Sequence, residues 1–110
     1  EISLTYDTVF PALQNDPDAA SQAVRAARLT GQPVDPACDP KLFSEDFAHM
    51  VRAVPGCFML IGNGTEGAHA RPLHASDYDF NDDILASGAA YIATLATQFL
   101  KNDDPVGESG

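Results

Sequence analysis

The sequence predicts an α/β fold in which a few strands form one sheet and about three helices pack against it. Two observations lead to this prediction. Residues 2–10 and 57–61 have the apolar patterns of strands, and three other segments place apolar residues at helical spacing behind residues that cap helices. Because strands and helices alternate along a chain of 110 residues, one layered domain, or part of one, is the expected architecture.

The first two predicted elements are a strand and a helix. Residues 2–10 alternate apolar and polar side chains, which is the period-two pattern of a half-buried strand. A helix is expected to follow Asp16, because a capping side chain there precedes Pro17 in the first turn. Alanine-rich sequence then continues to Leu29, which predicts close packing of this helix on a sheet. Residues 33–40 form a proline-punctuated connector.

A second helix is predicted to begin near Ser44, whose hydroxyl group can cap it, with Glu45 at the positive end of the helix dipole. Residues 47–54 carry apolar side chains on one helical face, and the Pro-Gly pair at 55–56 ends the helix. Residues 57–61 are continuously apolar, which predicts a strand that is covered on both faces.

The last predicted elements are a loop and a long helix. Residues 62–67 contain three glycines and are expected to form a loop after the second strand, where sites in α/β folds usually lie. The final helix is predicted to open at Asn81 and to extend to about Leu100. The polar residues that follow predict a flexible tail.

The net charge of −10 restricts the partners of this chain. Only six lysines and arginines are present, so phosphate backbones and anionic lipid surfaces would be repelled, and neither nucleic acid nor a membrane is an expected partner. No apolar run approaches the ~18 residues that a membrane span requires. A divalent cation would suit this charge, but a solvated acidic surface that keeps the protein soluble explains the charge without any ligand and is the favoured interpretation of the charge alone.

The two cysteines, Cys38 and Cys57, are interpreted as free thiols in a reducing cytoplasm. The chain is not short and cysteine-rich as disulfide scaffolds are, and no Cys-x-x-Cys spacing points to a zinc cluster. No leader-like segment, with basic residues before an apolar stretch, is visible. The predicted location is therefore cytoplasmic.

His74 is the candidate metal ligand. It is followed by four aspartates, and imidazole with carboxylates is a ligand set that zinc, manganese, cobalt and nickel accept. One histidine does not make a site, however, and the aspartates nearest Asn81 also suit a helix N-terminus without any metal. His49 and His69 are interpreted as structural or exposed. Neither a phosphate-binding loop nor a nucleophile elbow is present.

Several segments together carry a family resemblance. They are Ser44-Glu45-Asp46-Phe47-Ala48, Pro55-Gly56-Cys57-Phe58, Ile61-Gly62-Asn63-Gly64, and Leu73-His74 with Tyr78-Asp79-Phe80-Asn81-Asp82. In this order and spacing they resemble the C-terminal part of hippurate hydrolases, within the aminoacylase, carboxypeptidase and auxin-conjugate amidohydrolase family of binuclear metallopeptidases. The resemblance covers roughly residues 9–100.

The resemblance implies a division of the chain into three parts. Residues 1–15 would be the closing strand of an inserted lid or dimerisation domain, and residues 16–101 would be the C-terminal half of a zinc-peptidase-like catalytic domain. Residues 102–110 would be the flexible tail. The missing N-terminal half of the catalytic domain is then an expected partner, and self-association into a homo-oligomer is an expected outcome for the chain alone.

The resemblance also implies a chemistry, the hydrolysis of the amide bond of N-acyl amino acids. Two divalent ions (Zn, Mn, Co or Ni) are expected in the complete enzyme, with a general-base glutamate from the N-terminal half. His74 matches the one metal ligand that the C-terminal half supplies, and Ser44 and Glu45 would lie near the substrate. The catalytic residues are thus expected outside these 110 residues, so the chain alone should be inactive.

This sequence departs from the family pattern at Phe43, where a small residue is common, and at Ala75-Ser76, where Asn-Pro is common. Two rival hypotheses stay open on the sequence alone. One is a non-catalytic α/β module that reuses the fold for binding or assembly. The other is an independent mononuclear metal centre built from His74 and the aspartates after it.

Overall fold

The computed structural model describes residues 1–7 and 9–103 of the chain. Three helices occur there, α1 (Pro17–Leu29), α2 (Phe47–Ala53) and α3 (Leu85–Asp103), together with 3-10 turns at Gly67–Ala70 and Asp82–Ile84. Irregular segments connect them. None of the helices in these two ranges is long and apolar enough to cross a membrane.

The prediction of an α/β fold is wrong, because no strand and no sheet occurs among the residues that the structure describes. The alternating pattern at residues 2–10 shows that these side chains suit a half-buried strand. A strand also needs a second main chain to form hydrogen bonds with. Ile2 and Leu4 are 98% and 90% exposed, so nothing in the described chain covers them. Residue 8 of this predicted strand lies outside the described residues.

The second predicted strand, residues 57–61, is irregular for a related reason. Its main chain is held by a side chain and not by another strand: the Asn15 carboxamide accepts a hydrogen bond from Phe58 N at 2.8 Å and donates one to Phe58 O at 3.0 Å. One carboxamide satisfies one residue, whereas a strand requires a ladder of such bonds. Apolar composition alone did not reveal that this ladder is absent.

Helix α1 confirms its prediction at both ends. The Asp16 carboxylate accepts a hydrogen bond from Ala19 N at 2.9 Å, and Pro17 occupies the first helical position. The helix ends at Leu29, and Gly31 follows with a φ of 74°, a left-handed conformation that glycine adopts without a steric penalty. Local capping chemistry therefore determines this element.

Helix α2 is shorter than predicted and begins at Phe47. Ser44 lies outside the helix and its hydroxyl group does not cap it. The Glu45 carboxylate instead accepts a hydrogen bond from Phe47 N, at 3.3 Å. The predicted end is confirmed, since Val54 is already extended ahead of the Pro-Gly pair at 55–56.

Helix α3 begins at Leu85, later than the predicted start at Asn81, and it extends further than predicted. The Asn81 carboxamide oxygen accepts a hydrogen bond from Asp83 N at 3.0 Å, which caps the 3-10 turn that leads into the helix. The helix continues past Leu100 to Asp103. Residues 102 and 103 of the predicted tail are thus helical, and residues 104–110 lie outside the described residues.

The core lies between α1 and α3. Ala26 and Ala27 of α1 pack with Tyr91 of α3, and Met59 from the segment after α2 lies against this cluster. The Tyr91 hydroxyl group lies 3.1 Å from Met59 Sδ. The small alanine side chains allow α1 and α3 to approach closely.

Candidate functional site

His74 lies in the long connection between residues 57–61 and α3. We call residues 64–81 the His74 loop. His74 lies in a turn in which Ala75 N donates to Pro72 O, and a second turn follows it in which Tyr78 N donates to Ala75 O, both at 3.1 Å. His74 itself has a φ of 69°, the only positive φ at a non-glycine residue among those described. Residues other than glycine adopt this left-handed conformation at a cost of about 1–3 kcal/mol, so the surrounding loop must hold it.

Two ion pairs bridge the His74 loop across the histidine. His69 Nε2 lies 3.4 Å from Asp79 Oδ2, and Arg71 Nε lies 3.0 Å from Asp77 Oδ2. Each pair joins residues equally far before and after His74 in sequence. The pairs are thus nested, and His74 lies at the tip of the loop that they close.

Asn63 closes the same loop at its base. Its Nδ2 donates to His69 O at 3.1 Å and to Asp79 O at 2.8 Å, and its Oδ1 accepts from Asn81 N at 2.9 Å. The Asn81 side chain donates in return to Asn63 O at 3.0 Å. In the sequence, Asn63 is distinguished only as part of the segment Ile61-Gly62-Asn63-Gly64. The glycines on either side of Asn63 were the one feature of the sequence that indicated a close approach of the backbone to another segment.

The structure places the two predicted substrate-binding residues in different environments. Ser44 is exposed in the segment before α2, and Glu45 is half-buried with its carboxylate on the first turn of that helix. The residue before them, Phe43, contacts the candidate ligand: its ring meets the His74 ring edge-on, with centroids 6.0 Å apart. The segment that precedes α2 is therefore next to the tip of the His74 loop, although sequence reasoning did not single out Phe43 as a contact.

The donor set of this chain fits one metal ligand and not a complete site. His74 is exposed, and no hydrogen bond or ion pair to its ring occurs in the described part of the chain, so its imidazole nitrogens are free. No group of three histidine, cysteine or acidic side chains that could hold a metal occurs within residues 1–7 and 9–103. Asp77 and Asp79 are instead engaged by Arg71 and His69. The hypothesis of an independent mononuclear centre therefore finds no support.

The titratable groups with clear pKa shifts lie away from His74. Burial raises the pKa of the Cys57 thiol. Burial also raises the pKa of Tyr91, and the nearby Cys57 raises it further. Both residues belong to the contact between α1, α3 and the segment after α2. These shifts follow from packing and do not mark a second reactive site.

Two open clefts lie elsewhere on the surface. One, of about 550 Å³, is formed by α1 with Pro36, and the other, of about 540 Å³, lies between residues 11–17 and 51–56. Neither includes His74, Ser44 or Glu45 in its lining. A substrate pocket around His74 would therefore be formed by residues other than those that line these two clefts.

Comparison with protein families gives one match over most of the chain. The family described as peptidase family M20/M25/M40 matches residues 1–98. This range contains α1, α2, the His74 loop and most of α3. No solved structure matches the chain at a significant level.

Three curated relatives illustrate the similarity. An IAA-amino acid hydrolase ILR1-like 2 from Arabidopsis thaliana is 35% identical over 93 residues, which cover 84% of this chain and 21% of that protein. A hippurate hydrolase from Campylobacter jejuni is 31% identical over 106 residues, covering 92% of this chain and 26% of its own length. Thermostable carboxypeptidase 1 from Saccharolobus solfataricus is 27% identical over 94 residues, covering 84% and 23%. The chain thus spans about a fifth to a quarter of the length of these relatives.

Proposed function

Because this chain belongs to peptidase family M20/M25/M40, we propose that it is the C-terminal part of the catalytic domain of a metal-dependent amidohydrolase. The reaction would be hydrolysis of the amide bond of an N-acyl amino acid, giving a carboxylate and an amino acid. The names of two relatives, a hippurate hydrolase and an IAA-amino acid hydrolase, support a substrate in which an acyl group is joined to an amino acid. Hippurate-type conjugates are the substrates proposed here.

The proposal rests on the position and exposure of His74, which lies within the residues that match the family. Its imidazole is exposed and unpaired in the described structure, at the tip of a loop that two ion pairs and Asn63 close. An exposed imidazole whose ring nitrogens have no partner in the described structure is available to bind a metal ion. We assign His74 the role of one metal ligand, with the other ligands supplied by the N-terminal half of the domain.

In this proposal the catalytic roles are divided between this chain and the N-terminal half of the domain. When bound, two divalent ions (Zn, Mn, Co or Ni) would polarise the amide carbonyl group and lower the pKa of a bound water. A general base would come from the N-terminal half. The contributions of this chain are His74 at the metal and the segment of Ser44 and Glu45, which forms part of the substrate pocket in this proposal. The isolated chain would therefore be inactive.

The proposed partners follow from the same assignment. They are the N-terminal half of the domain and an N-acyl amino acid, while nucleic acids and membranes are not proposed for a chain of net charge −10. Residues 1–15 would be the end of the inserted lid or dimerisation domain, and homo-oligomers are part of the proposal. The proposed location is a reducing cytoplasm, in which thiols such as those of Cys38 and Cys57 stay free.

The test is a His74→Ala variant of the full-length protein that contains these residues. Hydrolysis of hippurate should fall by orders of magnitude, because the loss of one ligand removes metal affinity and Lewis acidity together. His49→Ala is the matched control, since His49 is exposed on α2 and its ring faces Phe10 and not the His74 loop. This control should retain wild-type turnover, and a chelator should abolish turnover in both the wild type and the control.

Two outcomes would contradict the proposal. Turnover that survives both the chelator and the His74→Ala change would remove the metal from the mechanism. A full-length protein without any hydrolysis of N-acyl amino acids and without metal binding would favour the rival hypothesis of a non-catalytic binding or assembly module.

A further inference from the structure

We propose that Asn63 is a positioning residue that holds His74 at the metal. This inference rests on the proposed function, because it matters only if His74 is a ligand. Asn63 touches neither the imidazole nor the proposed substrate pocket. It would act through the main chain of the His74 loop, which it joins at both ends.

The contacts of Asn63 use the whole carboxamide. Both of its hydrogens are donated, to His69 O and Asp79 O, and its oxygen accepts from Asn81 N. His69 and Asp79 are equally distant from His74 in sequence, on opposite sides. One half-buried side chain therefore fixes the separation of the two arms whose tip carries His74.

The two ion pairs across the same loop are weaker constraints. The side chains of the His69–Asp79 pair are 38% and 61% exposed, and those of the Arg71–Asp77 pair are 56% and 61% exposed. Exposed ion pairs contribute little, because water screens the charges and two long side chains must be ordered. Asn63 instead bonds main-chain atoms, whose position determines the course of the loop directly.

The backbone next to Asn63 is adapted to this close approach. Gly64 has a φ of 143°, and a Cβ atom added there would lie 2.8 Å from the Cβ of His69. Glycine is therefore required where the chain turns away from Asn63 and meets the returning arm. This contact is independent of the carboxamide and shows that the base of the loop is closely packed.

Positioning matters here because His74 has an unfavourable backbone conformation. A left-handed conformation at a residue other than glycine persists only where the surroundings hold it. If the arms of the loop separate, the residue can relax to an ordinary conformation, and the imidazole leaves its place. Ligands that are less well held lower metal affinity even when their chemistry is unchanged.

Asn63→Asp is the informative variant. It preserves the shape of the side chain but removes both donated hydrogens, and it sets a carboxylate against the carbonyl oxygens of His69 and Asp79. Asn15→Asp is the matched control. The Asn15 carboxamide also bridges main-chain atoms, those of Phe58, but it does not contact the His74 loop.

The experiment measures the dissociation constant of Co²⁺ by chelator competition on the full-length metalloprotein. We expect Asn63→Asp to weaken Co²⁺ binding by about 10- to 100-fold, the usual range for residues that support metal ligands. Asn15→Asp should leave the dissociation constant unchanged even if it lowers the melting temperature. Equal Co²⁺ affinities in the two variants would overturn the inference.

A His74→Ala arm separates this inference from the proposed function. If His74→Ala leaves Co²⁺ affinity intact, the proposed function fails. If it weakens binding while Asn63→Asp does not, only the role of Asn63 fails. Should Asn63→Asp not fold, Asn63→Ser retains one donor and serves in the same comparison. Hydrogen exchange of the wild-type Asn81 amide gives a further check, since exchange at the rate of an unstructured chain would overturn the inference.

Discussion

At the scale of single residues, the site is defined by side chains far apart in sequence. Phe43 lies edge-on to His74, although these residues belong to different segments. Such edge-to-face contacts contribute about 0.5–1.5 kcal/mol beyond burial, which is enough to favour one ring orientation. Phe43 therefore borders the candidate ligand although it lies outside the His74 loop.

The two cysteines differ in environment, which leads to a residue-scale prediction. Burial raises the pKa of Cys57, so less thiolate is present at a given pH, whereas Cys38 is exposed. Alkylation by iodoacetamide at pH 8 should therefore be slower at Cys57 than at Cys38, as measured by mass spectrometry of peptides. Equal rates for the two thiols would contradict the packing described for Cys57.

The raised pKa of Cys57 also predicts how the free energy of unfolding changes with pH. A raised pKa means that the folded protein keeps the Cys57 proton to a higher pH than the unfolded chain does. The stability contribution is therefore complete below the usual thiol pKa of about 8.5 and is lost as the pH rises above it. A Cys57→Ala variant should show a flatter decline over this window in denaturant unfolding. An unchanged slope would contradict the assignment to Cys57.

At the scale of elements, the contact between α1 and α3 holds the described structure together. Ala26 is fully buried and Tyr91 is 5% exposed. Because alanine carries no side chain beyond Cβ, the helices come close, and little space remains for a larger group. The segment after α2 adds Met59 to this contact, and Ile61 lies 3.6 Å from a Cβ that would be added at Gly88. The base of the His74 loop is thereby held against α3.

Enlarging a buried alanine tests this contact. Ala26→Leu should destabilise the chain by about 1–3 kcal/mol, because the added methylene groups force α1 and α3 apart. Thermal unfolding followed by circular dichroism should show a lower melting temperature. Ala96→Leu is the control, since Ala96 is exposed on α3 and the same substitution there should be nearly neutral. A melting temperature that falls equally in both variants would contradict the packing of Ala26.

At the scale of the whole molecule, the described chain covers little of its apolar surface. Its buried core consists of four alanines and Tyr91, and Leu42 is completely exposed. The radius of gyration is 18.3 Å, whereas a compact domain of this length has one of about 13 Å. A surface with this many exposed large apolar side chains is typical of one that contacts another polypeptide. The proposed N-terminal half of the catalytic domain would supply such a contact.

The apolar surface predicts association of the isolated chain. Light scattering should show an apparent mass that rises with concentration, because side chains such as Ile2 and Leu4 gain burial only between molecules. The full-length protein, in which the proposed other half covers this surface, is the comparison and should keep a constant mass per assembly. A compact monomer of the 110-residue chain at every concentration would contradict this expectation.

The sequence by itself determined the features that depend on neighbouring residues. Asp16 and Pro17 indicated where α1 begins, and Asn81 indicated the start of the turn before α3. Both signals lie within a few residues, because a cap bonds the first turn that follows it. The family was indicated by several short segments in a fixed order along the chain.

Only the tertiary structure decided the rest, because it depends on bonds between distant residues. No sheet forms among the residues that the structure describes, and local sequence did not show this. The contact of Phe43 with His74 and the hydrogen bonds of Asn63 to Asp79 and Asn81 join distant segments, and no local pattern predicts such contacts. Alternation of apolar and polar residues indicates that the side chains suit a strand. A strand forms only where a second main chain supplies its hydrogen bonds.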